Sequence, residues 1–308
     1  MPTEIQIVEV GPRDGLQNES VILSTGDKLS LIDHLVDSGI TRIEAVSFAH
    51  PKYVPQLADA EAVMAGIERR DAVSYIGLVM NWRGWLRAAG SGIDEVNVPL
   101  FASDTFNLKN QGVHTSESID VLASIATDAR EHGVSVTATV GTAWGCPFEG
   151  EVALAGLLET VAGVAATGID ELAIADTIGV ADPWSVTERL NAVKGAVPNM
   201  PLRVHFHDTR NTGIANAYAA IQAGVTTIDA SVGGIGGCPF APAATGNIAT
   251  DDLVYMLNRG GFDHGVSLAS LIRVSREVEQ LVKRPIPAML PAAGDFPPPP
   301  STEEEASS

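Results

Sequence analysis

The sequence predicts an α/β fold in which eight parallel strands close into a (β/α)8 barrel, the TIM barrel. Eight short β-rich segments recur along the chain, and stretches with helical periodicity lie between them. Several of these stretches end in Gly directly before the next strand, and Gly readily adopts the left-handed conformation that closes a helix. Eight strand–helix units in about 260 residues fit such a barrel in length, number and order.

The elements follow one another in strict alternation. The predicted strands are residues 4–10, 41–48, 73–79, 94–101, 134–140, 171–176, 202–208 and 226–232. Helical periodicity is found at residues 28–38, 56–68, 116–131, 153–167, 183–197 and 211–223, and a further helix at 268–283 follows the eighth unit. A doubly wound sheet is the alternative, but it needs a Gly-rich turn after the first strand. Gly11-Pro12-Arg13 has Pro and Arg where close approach to phosphate requires Gly.

The chain divides into two parts by composition. Residues 1–284 are predicted to form one barrel domain that includes the extra C-terminal helix. Residues 285–308 are rich in Pro, then Ser and Glu, which predicts an acidic and largely disordered tail.

Composition also narrows the class of protein. The chain has 308 residues, 45% of them hydrophobic, without an apolar run long enough to span a membrane. The first residues already read as a strand, so no targeting peptide is expected. A formal charge of −19 argues against nucleic acid as a partner. The two cysteines, Cys146 and Cys238, form no disulfide framework, which suits a reducing cytoplasm.

The residues that could carry chemistry fall at one end of the predicted barrel. Reactive residues of such barrels lie at the carboxyl ends of the strands and in the loops that follow. The candidates that occupy this rim are Arg13, Asp14, Glu44, Asp176, His205, His207, Cys238 and Asn247. A chance scatter would put about half of them at the opposite end, so this clustering indicates an active site at the rim.

Four of these candidates form a possible metal site. His205 and His207 are two apart on a strand, so their side chains point to the same face. Together with Asp14 and the amide oxygen of Asn247 they make a mixed nitrogen and oxygen set without thiolate. Such a set suits Mg²⁺ or Mn²⁺, with Co²⁺ as a further option. The alternative is a core histidine beside one satisfied by hydrogen bonds.

The remaining candidates have both chemical and structural interpretations. Cys238 lies in a segment with four glycines, and a thiol on such a loop could act as a general acid or base, or be a small buried residue. Cys146 is expected to be structural. Glu44 could pair with Arg13, and Asp176 could orient a metal-bound imidazole, although simple ion pairing would explain both.

The motifs taken together resemble the 3-hydroxy-3-methylglutaryl-CoA (HMG-CoA) lyase family. The resemblance covers residues 4–270, and the order and spacing of its motifs are specific. The motifs are EVGPRDGLQNE at 9–19, IE at 43–44, SF at 47–48, PK at 51–52, VPQ at 54–56, DTIGV at 176–180, HxHDT at 205–209, GGCP at 236–239, GN at 246–247 and LVYML at 253–257.

The resemblance implies cleavage of a tertiary β-hydroxyacyl-CoA, HMG-CoA, into acetyl-CoA and acetoacetate, as in leucine degradation. It implies that Asp14, His205, His207 and Asn247 hold a divalent ion, and that Asp14 or a neighbouring base accepts the hydroxyl proton. Arg13 would stabilise the enolate, and Cys238 would help to protonate it. Supporting catalytic positions are Glu44, Asp176 and Asp251; candidate substrate-binding positions are Arg13, Gln17, Thr177 and Arg210. The expected partners are an acyl-CoA substrate and a second copy of the chain in a homodimer.

Some positions depart from the family pattern and leave the acyl group open. Asp251 replaces a customary Glu, Arg210 follows His-Asp-Thr where Tyr is usual, and Trp144 and Phe148 flank Gly-Cys-Pro where Phe or Tyr is common. A lyase for a related substrate such as citramalyl-CoA is therefore an alternative. A Claisen-type synthase that condenses a 2-keto acid is less well supported, because synthases of this group typically lack the cysteine loop. A non-catalytic metal-binding barrel would be expected to have lost Arg13 or Cys238.

Overall fold

The computed structural model describes residues 3–237 and 246–297 and has eight parallel strands in a closed barrel, which confirms the predicted fold class. The barrel strands are β1 (Gln6–Glu9), β2 (Arg42–Ser47), β3 (Ser74–Leu78), β4 (Glu95–Phe101), β5 (Ser135–Gly141), β8 (Glu171–Asp176), β9 (Leu202–Phe206) and β10 (Thr227–Ala230). A short antiparallel pair, β6 (Gly145–Cys146) and β7 (Gly150–Glu151), lies in the loop between β5 and β8. The strand order around the barrel is β1-β10-β9-β8-β5-β4-β3-β2.

Helices alternate with these strands. They are α1 (Thr25–Asp37), α2 (Ala60–Gly66), α3 (Trp82–Ala89), α4 (Asp104–Gln111), α5 (Thr115–Glu131), α6 (Leu154–Ala165), α7 (Pro183–Ala196), α8 (Gly213–Gln222), α9 (Thr250–Gly260), α10 (Leu268–Val282) and α11 (Leu290–Ala293). Their apolar faces pack on the outside of the barrel in one large hydrophobic core. Among the described residues no helix is both long and apolar enough to cross a membrane.

Two of the short helices, α3 and α4, were not predicted from periodicity. Each begins at a polar cap: the side chains of Asn81 and Ser103 accept the backbone N–H groups of Gly84 and Phe106 at 3.0 and 3.1 Å. Such caps satisfy N–H groups that a helix leaves unpaired at its start. In helices this short, the cap is a clearer sequence signal than the apolar pattern.

The barrel interior is polar, because alternate residues of each strand face opposite sides. In β9, Val204 and Phe206 belong to the hydrophobic core, whereas Arg203 lies 3.6 Å from Glu95 of β4. Strands β9 and β4 are not neighbours in the barrel, so this contact crosses its interior. Arg42 of β2 likewise reaches Glu171 of β8, at 2.6 Å.

The first part of the predicted tail is ordered against the barrel. Ala288 donates its backbone N–H to the carbonyl of Gly233 at 3.2 Å, Ile286 contacts Gly233, and Leu290 of α11 is buried. The stretch is rich in Pro and Ala, but these apolar residues allow it to bury surface against the barrel. Composition alone did not predict this packing. The rest of the predicted tail, residues 298–308, lies outside the described residues.

Candidate functional site

A cavity of about 550 Å³ lies at the carboxyl ends of the strands. Several of the predicted site residues line it: Arg13, Asp14, Gln17, Thr177, His205 and His207. Asn97, Thr139 and Asp229, which the sequence did not single out, line it as well. The cavity therefore occupies the end of the barrel at which the sequence predicted an active site.

The Arg13–Asp14 pair is carried by a tight turn directly after β1. The turn spans Gly11–Gly15, and the backbone N–H groups of Arg13, Asp14 and Gly15 all point to the carbonyl of Val10, at 3.2, 2.7 and 3.1 Å. One strand-end carbonyl thus gathers three successive amides. The turn thereby holds the side chains of Arg13 and Asp14 at the mouth of the barrel, where both line the cavity.

Arg13 is clamped between two carboxylates. Its Nε donates to Glu44 Oε2 at 2.6 Å, and a terminal guanidinium nitrogen donates to Asp14 Oδ1 at 2.5 Å. The other oxygen of Glu44 accepts from the amide of Asn97 at 2.8 Å. Burial acts to lower the pKa of Arg13, but the charges of Glu44 and Asp14 outweigh it and raise that pKa. Arg13 is thus a fixed cation beside the cavity, as its predicted pairing with Glu44 requires.

Asp14, His205 and His207 form the one cluster of potential metal ligands in the described part of the chain, with donor atoms within 4.8 Å of one another. His205 Nε2 lies 4.0 Å from Asp14 Oδ2. Burial acts to raise the pKa of Asp14, but the charges of Arg13 and the two histidines lower it to about 2. Burial and the charge of His205 lower the pKa of His207 to about 4. An anionic carboxylate and a neutral imidazole are the protonation states that bind a metal ion.

Asn247 lies beside this cluster. It forms an isolated antiparallel bridge with His207, and its Nδ2 donates to Asp14 Oδ2 at 2.9 Å and to the Ile235 carbonyl at 3.1 Å. Gly236 has a φ of +129° and approaches the amide so closely that a Cβ would lie 2.6 Å from Nδ2, so only glycine fits. Asn247 Oδ1 and His207 Nδ1 are buried without a hydrogen-bond partner among the described residues. Both atoms can offer a lone pair, and a bound cation would give such unpartnered atoms a ligand role.

Asp229 of β10 belongs to the site, although the sequence interpretation missed it. Its Oδ2 lies 3.0 Å from His205 Nδ1, and its Oδ1 accepts from Arg203 Nε. Strands β9 and β10 are paired with Asp229 opposite His205. The signal was present in the sequence, because two neighbouring strands each carry a polar residue at the same height and on the same face.

Asp176 ends β8 but points away from the cavity lining. It is fully buried and accepts the backbone N–H groups of Val180 and Ala181, at 3.0 and 2.8 Å. Burial raises its pKa. Its neighbour Ala175 lines the cavity, as the alternation of a strand requires. The observed contacts of Asp176 close the loop after β8.

The predicted substrate-binding residues divide into two groups. Gln17 and Thr177 line the cavity, and Thr177 Oγ1 accepts the N–H of Thr142 at 2.8 Å. Arg210 is exposed and outside the lining. Its guanidinium donates to the carbonyls of residues 178 and 179, at 3.1 and 2.7 Å. Its contacts join two loops of the rim.

Asp251, at the start of α9, also lies outside the cavity lining. Its Oδ1 accepts from the Gly233 N–H at 3.2 Å and from the Ser275 hydroxyl. Burial raises its pKa to about 6. Glu9, at the end of β1, is buried in a similar way and bonds Gly11 and Val232, and burial raises its pKa to about 7. Both carboxylates accept backbone N–H groups of the loops that follow β1 and β10, and neither lines the cavity.

Of the two cysteines, Cys238 lies outside the described residues, so its predicted role is not addressed by the structure. The residue before it, Gly237, lines the cavity, and its carbonyl accepts from the side chain of Asn18 at 2.7 Å. Cys146 is buried, and its sulfur accepts from the Ser103 hydroxyl at 3.0 Å. The contacts of Cys146 agree with the structural role expected for it.

A family model described as HMGL-like matches residues 4–278. A hydroxymethylglutaryl-CoA lyase of Bacillus subtilis is 42% identical over 287 residues, which cover 93% of this chain and 96% of that protein. The mitochondrial hydroxymethylglutaryl-CoA lyase of Homo sapiens is 41% identical over 284 residues, covering 92% of this chain and 87% of that protein.

Solved structures give the same pattern. An HMG-CoA lyase from Acinetobacter baumannii, in complex with coenzyme A and 3-methylmalate, has a TM-score of 0.92 at 38% identity and covers 97% of each chain. A hydroxymethylglutaryl-CoA lyase from Pseudomonas aeruginosa has a TM-score of 0.91 at 35% identity, with 95% of this chain and 98% of that chain covered.

Proposed function

The chain belongs to the HMGL-like family, and we propose that it is a divalent-metal-dependent carbon–carbon lyase that cleaves HMG-CoA to acetyl-CoA and acetoacetate. The observation that carries the proposal is the cluster of Asp14, His205 and His207 next to Arg13 in the rim cavity. A cation site beside a fixed guanidinium can hold a chelating hydroxy acid and stabilise the charge that develops on its thioester.

The donor set fits a hard divalent ion held by Asp14, His205, His207 and Asn247. When bound, Mg²⁺ or Mn²⁺, or Co²⁺ as a further option, would supply Lewis-acid chemistry that lowers the pKa of a hydroxyl and fixes its orientation. The charge of the barrel interior supports this choice. Among the described residues, the linked ion pairs contain three arginines and five carboxylates: Arg13, Arg42, Arg203, Asp14, Glu44, Glu95, Glu171 and Asp229. The carboxylates of this interior thus outnumber its arginines by two, and this excess favours the binding of a cation.

Arg13 acts on the thioester side of the reaction. Cleavage leaves the electrons of the broken carbon–carbon bond in the acetyl-CoA half, as an enolate. A guanidinium already held by Glu44 and Asp14 needs no reorganisation when this oxyanion forms. Preorganised charge of this kind is often the largest contribution to catalysis.

Proton transfers are assigned to two positions. Asp14 or a neighbouring base accepts the proton of the tertiary hydroxyl; with a pKa of about 2, Asp14 is better suited to ligation than to this role. Cys238 is proposed to protonate the acetyl-CoA carbanion, and the Asn18–Gly237 contact supports this by attaching the preceding residue to the cavity. Glu44 supports Arg13, and Asp176 and Asp251 support the loops.

The positions that depart from the family pattern favour the parent substrate over citramalyl-CoA. Trp144, Phe148, Arg210 and Asp251 all lie outside the residues that line the cavity. Trp144, for example, is buried against Phe206, with ring centroids 5.7 Å apart. These substitutions therefore place no different side chain in the cavity lining formed by the described residues.

An acyl-CoA is the proposed partner, and a homodimer with residues 1–284 as one catalytic domain remains our prediction. Coenzyme A is bound in the Acinetobacter baumannii HMG-CoA lyase, which supports this substrate class. A cytoplasmic location is proposed from the Bacillus subtilis relative, although relatives named as mitochondrial exist.

Comparison of two substrates tests this function. Purified protein with Mg²⁺ or Mn²⁺ should release acetyl-CoA from HMG-CoA with a higher kcat/KM than from citramalyl-CoA. A preference for citramalyl-CoA would leave the reaction type standing but overturn the substrate assignment. Condensation of acetyl-CoA with a 2-keto acid, without cleavage of either substrate, would indicate a synthase.

A further inference from the structure

Strand β9, which carries His205 and ends directly before His207, also points an arginine into the barrel. Arg203 precedes His205 by two residues on β9 and is fully buried, with 0% of its surface exposed. Its terminal nitrogens have no hydrogen-bond partner among the described residues, and Glu95 and Glu171 lie 3.6 and 4.0 Å from one of them. The close contact of Arg203 is instead made by Nε, which donates to Asp229 Oδ1.

Asp229 links Arg203 to His205, one of the three potential metal ligands. Its second oxygen, Oδ2, lies 3.0 Å from Nδ1 of His205, and the opposite ring nitrogen, Nε2, lies 4.0 Å from Asp14 Oδ2. Arg203, Asp229 and His205 therefore form a linear chain that runs from the interior of the barrel to the cavity. A carboxylate that accepts from Nδ1–H leaves the lone pair of Nε2 free for a cation.

Burying a guanidinium costs free energy of desolvation, which an apolar side chain of the same volume avoids. Interior ion pairs are often less stabilising than apolar side chains of the same volume, and unpaired N–H groups add to the cost. Arg42, which also binds Glu95 and Glu171, already supplies a cation to those carboxylates. What Arg203 adds is the fixed orientation of Asp229.

We propose that Arg203 and Asp229 are positioning residues for the metal site: Arg203 fixes the carboxylate of Asp229, which holds His205 with Nδ1 protonated and Nε2 facing the cation. The inference rests on the proposed function, because it takes His205 to be a metal ligand. It adds Asp229, which lies beside His205 at the same height of the barrel, and Arg203, which lies deeper, and both act through His205.

The test compares substitutions in the full-length chain by two readouts. The first is the His205 tautomer in metal-free protein, read from ¹⁵N–¹H correlation spectra of the imidazole nitrogens. The second is the Kd for Mn²⁺. Asp229→Asn should redistribute the proton between Nδ1 and Nε2 and weaken Mn²⁺ binding by about 10- to 100-fold, the usual effect of losing a partner that orients a ligand. Arg203→Met should weaken binding in the same direction, and Arg203→Lys should restore much of it.

Arg42→Met is the matched control, because it removes a guanidinium from the same interior without touching Asp229. We expect it to lower the thermal midpoint of unfolding, to leave the His205 tautomer as in wild type, and to leave the Kd for Mn²⁺ unchanged or lower, because a positive charge is removed. If Asp229→Asn does not fold, the pair Arg203→Met and Arg203→Lys decides the question.

The proposal is overturned if Arg203→Met keeps the wild-type tautomer and Kd, or if Arg42→Met weakens Mn²⁺ binding as much as Arg203→Met does. Failure of the proposed function gives a different result. Wild-type protein that binds Mn²⁺ but does not cleave HMG-CoA would contradict the lyase assignment while the Kd comparison still judges the positioning role. If wild-type protein does not bind Mn²⁺, His205 is not a metal ligand and the positioning role is overturned together with the metal site.

Discussion

At the scale of single residues, Arg13 has the most clearly defined task. Its contacts with Glu44 and Asp14 hold the guanidinium at the cavity wall without requiring a bound ligand. Arg13→Met should therefore remove enolate stabilisation while leaving the metal ligands in place. We expect kcat to fall by about 10²- to 10³-fold, with the Kd for Mn²⁺ unchanged or lower because a nearby positive charge is gone.

Steady-state kinetics at saturating Mn²⁺ measure this, with Arg273→Met, on the outer face of α10, as the control for loss of an arginine. A decrease of less than tenfold in kcat would contradict the proposed role of Arg13.

Asp251 carries a prediction about stability, because burial raises its pKa from 3.8 to about 6. The protonated form is favoured in the folded state, so this contribution to stability is complete below pH 3.8 and is lost as the pH rises through about 6. In Asp251→Asn the amide oxygen can keep the bonds to Gly233 and Ser275, both made by Oδ1. The variant should be more stable than wild type at pH 8, by on the order of 2–3 kcal/mol, and the difference should vanish at pH 4.

Urea denaturation at the two pH values measures the difference. An equal difference at both would show that ionisation of Asp251 is not its cause.

Residue by residue, the sequence identified the reactive side chains better than it identified their directions. Asp14, His205 and His207 meet as expected. Asp176 also sits at a strand end, but it has the opposite parity to Ala175, which lines the cavity. Position along a strand predicts the rim, whereas the alternation of faces determines which side chains enter the cavity.

At the scale of elements, the barrel strands were predicted within a few residues. They are β-rich segments that alternate with helical segments along the chain, so local and global signals agree. The site loops could not be predicted in this way. The turn over Gly11–Gly15 depends on three amides that share the carbonyl of Val10, and the position of Asn247 depends on a bridge to His207. The first is an irregular local turn and the second is a tertiary contact, and neither has a periodic signature.

One of the contacts that join the loops after β1 and β10 gives a prediction for Asn18. Its amide donates to the carbonyl of Gly237, next to the proposed proton donor. Asn18→Ala should loosen this attachment and lower kcat about 3- to 10-fold, the loss of roughly one neutral hydrogen bond, with unchanged Mn²⁺ affinity. Steady-state kinetics and Mn²⁺ titration measure both quantities. The exposed Asn191→Ala on α7 is the control, and equal activity of the two variants would argue against a functional contact.

At the scale of the whole molecule, the fold separates two kinds of interior. The helices bury an apolar shell around the barrel, and the barrel itself encloses linked charges that lead from Arg42 and Arg203 up to Asp14. The carboxylates of this interior outnumber its arginines by two, at the end where the cavity opens. Overall composition gave the acidic character of the chain, but only the three-dimensional pairing reveals where a divalent cation would balance it.

The most direct test of the account is a metal titration with product analysis. Metal-stripped protein is titrated with Mn²⁺ while acetyl-CoA and acetoacetate released from HMG-CoA are both quantified. We predict no turnover without metal, recovery at one equivalent of Mn²⁺, equal amounts of the two products, and a need for excess Mn²⁺ in Asp14→Asn. Undiminished cleavage in EDTA, or metal-saturated protein that releases no acetyl-CoA, would contradict the account.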